Sequence, residues 1–257
     1  MSDVLTANDV AVSYGSHEAL VGVSLSLAAS QLQVVIGPNG SGKSTLLAAL
    51  LGHVPSRGTI AWNDKPLAKW KPRQLARIVA YLPQSPRSDV GQRVRDVLAV
   101  GRAPYWGAFG LESSADEAVV SEVAEILSLT HLLATPMDQL SGGQRQRVFI
   151  GRALAQEPTA LLLDEPSTFL DLKHQVDLMR LLRDLARARN LAVLMASHDL
   201  NLAGAFADRL MVLKEGAVAA AGEPREVLNA ELLSEVYGLS LRATILPGGQ
   251  PMISPRL

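Results

Sequence analysis

Nine residues constrain this chain more than any others: GPNGSGKST, Gly37 to Thr45. They fit the pattern G-x-x-x-x-G-K-[ST], and the flanks give the pattern its physical meaning. The β-rich run QVVIG, Gln33 to Gly37, precedes the loop, and the helix-forming run KSTLLAALL follows it. A strand that ends in a glycine-rich turn and opens a helix aims consecutive backbone N–H groups, with the positive end of the helix dipole, at one point in space. That arrangement cradles an anion. The amides from Asn39 through Gly40, Ser41 and Gly42 to Lys43 are placed for a nucleotide β-phosphate, the Lys43 ammonium reaches the β- and γ-phosphates, and the Ser44 hydroxyl is a ligand for Mg²⁺. Gly37, Pro38 and Thr45 complete the candidate loop.

Two further short runs ending in acid or serine, ALLLD (Ala160 to Asp164) and LAVLMAS (Leu191 to Ser197), read as buried strands, each followed by a helical pattern. Strands that alternate with helices predict an α/β fold with a largely parallel sheet. After Asp171, the apolar positions Leu172, Val176, Met179, Leu182 and Leu185 recur at helical spacing, which predicts a helix with that face packed on the sheet. Between Gln84 and Pro158 the texture changes. No β-rich run occurs there, whereas QRVRDVLAV and SADEAVVSEVAEILSL read as helices, so a helical subdomain over roughly 85–157 is expected inside a core of roughly 1–84 and 158–257. Pro83, Pro86 and Pro158 punctuate the junctions.

The strand ALLLD delivers two adjacent carboxylates to its C-terminal edge, where ligands of α/β sheets bind. Asp164 is suited to orient a hydrated Mg²⁺, and Glu165 to polarise a water as general base. In SHDLN, His198 follows the third strand, where an imidazole can sense a terminal phosphate. In VSYGSHEAL, Tyr14 reads either as an edge aromatic or as a ring that stacks on adenine. The segment LSGGQRQRV, Leu140 to Val148, looks like a second phosphate loop, with a serine and two glycines ahead of an amphipathic run. Yet it has no lysine.

Composition bounds the partners. The net charge is −1, from 24 basic and 25 acidic residues, so nothing global favours nucleic acid or an anionic membrane. Cysteine is absent, which excludes disulfides, thiolate catalysis and cysteine-based zinc sites. The N-terminus lacks a charged-then-apolar leader pattern, and no apolar run approaches the ~20 residues that span a bilayer.

Taken in order, GPNGSGKST, LSGGQ, LLLDEP and SHD resemble the ATP-binding-cassette (ABC) ATPases over nearly the whole chain. The resemblance implies a P-loop NTPase core of RecA-like type, an antiparallel β portion near the N-terminus and an inserted helical subdomain. It makes Tyr14 the adenine-stacking aromatic and Gln84 a hinge glutamine that contacts Mg²⁺ and water. Ser141, Gly142, Gly143 and Gln144 become the signature, Asp171 the D-loop aspartate and His198 the switch histidine. In this family two copies face head to tail, so the signature of one closes over the γ-phosphate held by the other. Donors and a helix dipole are needed there, and a lysine is not. Two departures stand out: Phe169 in STFLD, where many relatives have alanine, and SQLQ before the phosphate loop, where glycine-glutamate is common.

Within the family, STFLDLKHQVDLMRLL, SHDLNLA and GEPREVLNAELLSEVYG are most similar to the ATPase subunits of importers for iron chelates (siderophores), haem and cobalamin. That implies ATP and Mg²⁺ as cofactors, a second copy of itself, two transmembrane permease subunits and, indirectly, a substrate-binding protein as partners, with no nucleic acid. The expected location is peripheral, on the cytoplasmic face of the cell membrane. Residues 85–111 are expected to face the permease. The cluster Pro104, Tyr105, Trp106 and Phe109 reads equally as docking surface or as local core, and the arginine excess around it as a solvated face or as one that suits lipid headgroups. The alternative is a soluble cassette ATPase acting on nucleic acid or ribosomes. Such proteins carry tandem cassettes or long coiled-coil insertions, and no sustained heptads occur between Gln84 and Leu140.

Overall fold

The computed structural model describes residues 3–107, 110–168, 170–247 and 249–256. In chain order the elements are β1 (Asp3–Tyr14), β2 (His17–Ala28), β3 (Leu32–Ile36), α1 (Lys43–Leu50), β4 (Arg57–Trp62), β5 (Lys65–Pro66), α2 (Pro72–Leu75), β6 (Val79–Leu82), α3 (Val94–Val100), α4 (Ser114–Ile126), α5 (Gly142–Leu154) and β7 (Ala160–Asp164). They continue with α6 (Leu172–Ala188), β8 (Ala192–Ser197), α7 (Leu200–Phe206), β9 (Arg209–Lys214), β10 (Ala217–Gly222), α8 (Pro224–Val227), α9 (Ala230–Tyr237), β11 (Leu241–Ile245) and β12 (Pro251–Pro255). Two compact units result: Met1–Trp70 with Val176–Leu257, and Lys71–Gln175.

The first unit holds two kinds of sheet. β1 and β2 form a long antiparallel hairpin, extended through β4 to β5, and this is the antiparallel portion near the N-terminus. The apolar positions of β1 alternate inward, Leu5, Ala7, Val10 and Val12 being buried. β3 pairs in parallel with β8 on one side and β9 on the other, and β10 returns antiparallel along β9. All five residues of β3 and all six of β8 are buried, as expected for central parallel strands covered on both faces. The departure SQLQ has a local signature. Ser30 sits at φ 61°, the left-handed region where glycine is the easier residue, and its hydroxyl donates to Asn190 at 2.7 Å.

The second unit pairs β6 with β7 in parallel and carries α3, α4 and α5. Its core is tied by one buried cation. Arg102, only 4% exposed, donates from Nε to Asp116 (2.9 Å) and from Nη1 to both the Ala155 carbonyl (2.7 Å) and Glu157 (2.7 Å). Asp116 in turn caps α4 with Ser113 in a reciprocal capping box. The guanidinium stacks 3.9 Å from the Tyr105 ring, Arg77 packs on the same ring, and the Tyr105 hydroxyl donates to the Gln156 carbonyl. Removing one partner from such a desolvated pair costs about 3–5 kcal/mol. Tyr105 therefore belongs to local packing; Trp106 is half-buried, and Phe109 lies outside the described residues, as does Phe169.

In α6 the inward face is Leu178, Met179, Leu182, Leu185 and Ala186. Leu172, placed by periodicity on the buried stripe, is instead 69% exposed, because it opens the helix immediately after the capping residue Asp171. Among the described residues no helix is long and apolar enough to cross a membrane.

Candidate active site

The first unit contributes the phosphate loop. β3 runs straight into it, and α1 starts at Lys43 behind an N-cap, Gly42, that is left-handed (φ 103°) and supplies no side-chain cap. The start of α1 thus receives no side-chain cap from Gly42, and a helix start left open in this way suits an anion. The loop lies so close to its surroundings that side chains are forbidden. A Cβ at Gly37 would sit 2.3 Å from the Leu213 carbonyl oxygen, and one at Gly42 would sit 2.7 Å from the Ala19 carbonyl oxygen. Lys43 is buried, its ammonium donating to the carbonyls of Gly37 (2.9 Å) and Pro38 (3.2 Å), and the buried Ser41 hydroxyl has no protein partner among the described residues. A cation held at the mouth of a backbone cradle, with an unmatched hydroxyl in its wall, fits a polyphosphate. Ser44 is exposed at the head of α1.

In the same unit Tyr14 ends β1 at the hairpin turn, 51% exposed. His198 is exposed just past β8, and the next residue, Asp199, caps α7 by accepting the Leu202 amide at 2.8 Å.

The second unit contributes the acids and the signature. β7 ends at Asp164, which is 5% exposed and accepts the Tyr81 hydroxyl; burial and that neighbouring charge push the Tyr81 pKa up to about 12. Glu165 follows at φ 45°, a strained setting for a residue with a side chain. Its carboxylate is steered by two donors, the Gln84 amide at 3.1 Å and the Thr168 hydroxyl at 3.3 Å. The structure thus brings Gln84 and Glu165 together, although 81 residues separate them. Among the described residues no group of three His, Cys, Asp or Glu side chains converges as a metal cage. Within the second unit, an amide oxygen on Gln84 and a carboxylate on Asp164 are oxygen donors of the kind Mg²⁺ takes alongside its waters and substrate phosphates.

The signature begins α5. Ser141 is its N-cap, with the Ser141 hydroxyl accepting the Gln144 amide (3.3 Å) and the Gln144 side chain accepting the Ser141 amide (3.0 Å). The polar side chains of the motif therefore bond each other, while the amides of Gly142 and Gly143, at the first two helical positions, lack intrahelical acceptors. After β7, Asp171 caps α6 by accepting the His174 amide at 2.9 Å. Sequence reasoning passed over two residues here, Tyr81 and His174. His174 lay inside the quoted run STFLDLKHQ, and Tyr81 carried no pattern of its own.

Comparison with known proteins agrees with this geometry. Residues 20–168 match the ABC transporter family model. The hemin import ATP-binding protein HmuV of Thermobifida fusca is 40% identical over 98% of this chain and 88% of its own length. The ferric enterobactin transport ATP-binding protein FepC of Escherichia coli is 34% identical over 98% and 93%. Among solved structures, one described as a metal-chelate type ABC transporter in an inward-facing conformation superposes with a TM-score of 0.87 at 29% identity, covering 100% of this chain and 98% of that one. With a phosphate loop, a strand-end glutamate and a lysine-free signature on one chain, the protein belongs to the ABC transporter family, as one of its ATP-binding, ATP-hydrolysing subunits.

Proposed function

We propose that this subunit energises an importer for an iron chelate or haem, working as a head-to-tail pair of identical chains bound to two permease subunits at the cytoplasmic face of the membrane and served by a substrate-binding protein. One observation carries the pairing: the signature offers two glycine amides at a helix start, but its own serine and glutamine side chains are used up in a capping box and the motif has no lysine to reach a phosphate. Such a site is half of a phosphate site. The other half, with its lysine, is the phosphate loop of a second copy. The names and near-full-length similarity of the haem and siderophore relatives support an iron chelate or haem as the cargo class.

In this reading ATP lies with its β- and γ-phosphates on the amides from Asn39 to Lys43, its adenine on Tyr14, and Lys43 exchanging the carbonyls of Gly37 and Pro38 for phosphate oxygens. Ser44, Gln84 and Asp164 would hold Mg²⁺, which supplies charge neutralisation when bound. Glu165 accepts a proton from the attacking water. The Gln84 amide and the Thr168 hydroxyl orient its carboxylate for that task. His198 bonds the γ-phosphate, and the signature amides of the partner copy meet the same phosphate from the opposite side.

A mixing experiment tests the pairing. Lys43→Ala disables the loop and Ser141→Arg blocks the signature, so each homodimer has both sites damaged. In the mixed dimer, the intact loop of the Ser141→Arg chain meets the intact signature of the Lys43→Ala chain. Single-turnover ATP cleavage should return on mixing; if it stays absent, Ser141 to Gln144 acts within its own chain and the paired reading is wrong. Reconstitution with a permease in liposomes, scoring which loaded binding protein stimulates hydrolysis, assigns the cargo.

A further inference from the structure

The two motifs that the second unit would present to a partner copy are joined by a residue that neither motif contains. His174 lies in the first turn of α6, half-exposed. Its Nδ1 is 2.7 Å from Oδ1 of Asp171, the D-loop aspartate, and its backbone amide bonds the same oxygen at 2.9 Å. The other edge of the ring lies against the signature: a Cβ built on Gly143 would meet the His174 Cδ2 at 2.4 Å and Nε2 at 2.9 Å. Gly143 carries none of the positive φ values found along the chain, so it is the imidazole, not backbone geometry, that stands in the way of a side chain there.

The D-loop is further braced. The Gln175 side-chain amide donates to the Ser167 carbonyl at 3.2 Å, and Thr168 donates to both the carbonyl (3.0 Å) and the carboxylate of Glu165. A flat, rigid ring with a bonded edge and a packed edge fixes the distance between the two groups it touches. The bond on one side sets its orientation, and on the other side the ring fills the space that a side chain at Gly143 would take.

We propose that His174 is a positioning residue. It locks Asp171 to the start of the signature helix, so that D-loop and signature meet the second copy as one preset surface rather than as two independently moving loops. The inference rests on the paired reading above. Its energetic content is pre-organisation: a variant without the ring binds ATP as a single chain as before and closes less readily into the pair.

The test uses the full chain. His174→Ala should lower kcat about tenfold, within the range of couplings between contacting residues, while ATP affinity of the single chain, read with a fluorescent ATP analogue, stays within about twofold. His174→Asn keeps a donor for Asp171 with little risk to folding, and should recover most of kcat. In a double-mutant cycle, His174→Ala added to Asp171→Ala should cause little further loss, because the first residue acts through the second. Unchanged turnover in His174→Ala, an Asn variant as impaired as the Ala variant, or multiplying losses in the cycle would each overturn the proposal. The Glu165→Gln chain separates this failure from failure of the paired reading. If Glu165→Gln does not associate on ATP addition, the pairing itself is wrong. If it does associate, and Glu165→Gln/His174→Ala associates at the same protein and ATP concentrations, only the role of His174 is wrong; the expected result is association weakened about tenfold.

Discussion

Two helices of this molecule begin at the candidate phosphate loop and at the candidate signature, and they are built in opposite ways. α1 has a left-handed glycine cap with no side-chain bond, a buried lysine within the loop, and glycines crowded by backbone oxygens. α5 has a serine–glutamine capping box, no lysine in its motif, and a glycine crowded by a side chain. A start that must hold a polyphosphate by itself leaves its amides uncapped and adds a charge. In the proposed pair, a start that holds nothing until the second copy arrives satisfies what it can internally, which keeps the helix end stable meanwhile. The backbone-walled loop also has no freedom to adapt, whereas the wall at the signature is one imidazole that can be replaced.

The largest effect that would break this contrast is at Gly37. Gly37→Ala drives a methyl into the Leu213 carbonyl oxygen and the Ser41 hydroxyl, at a φ of 155° that side chains avoid, so ATP binding measured by calorimetry should be lost outright. No second side-chain substitution should restore it. Next comes the base. Glu165→Gln should keep ATP binding but slow single-turnover cleavage by about 10²- to 10⁴-fold, the usual share of general-base catalysis, leaving both helix starts intact. A third effect is smaller and separates the two walls. Gly143→Ala should lower unfolding stability by about 1–3 kcal/mol through overpacking, and His174→Ala in the same chain should remove most of that loss, since the obstructing atoms belong to the ring. An equal loss in both backgrounds would mean that backbone walls both loops. Smallest is the cap itself: Ser141→Ala should cost about 1 kcal/mol of thermal stability and Ser141→Asn nearly nothing.

Much of the first helix start is legible in sequence because everything it needs is local. Strand, loop and helix occupy consecutive residues, and Lys43 bonds the carbonyls of Gly37 and Pro38, neighbours in the same loop. The signature is legible as a capping pattern for the same reason. What the sequence hides is contact at a distance. The imidazole on Gly143 comes from 31 residues further on, and the hydroxyl on Asp164 comes from Tyr81 on the neighbouring strand, where nothing in periodicity marks a tyrosine as a hydrogen-bond donor. Leu172 illustrates the converse. Its helical spacing is correct, but a residue beside the cap lies at the open end of the helix, where the buried stripe has not yet begun. The terminal hairpin of β11 and β12 lacks a local signal because each strand has only five residues and prolines bound the second; its place is fixed instead by Asn201, whose side chain both donates to and accepts from the Ile253 backbone.

The Arg102 knot has a mechanical consequence. It grips the carboxyl end of α5 through the Ala155 carbonyl, and the signature is the amino end of that same helix, 13 residues away. At about 1.5 Å per residue the helix is a strut roughly 20 Å long, stiff along its axis because every turn is closed by hydrogen bonds. The Arg102 knot and the signature glycines therefore stand at opposite ends of one stiff element.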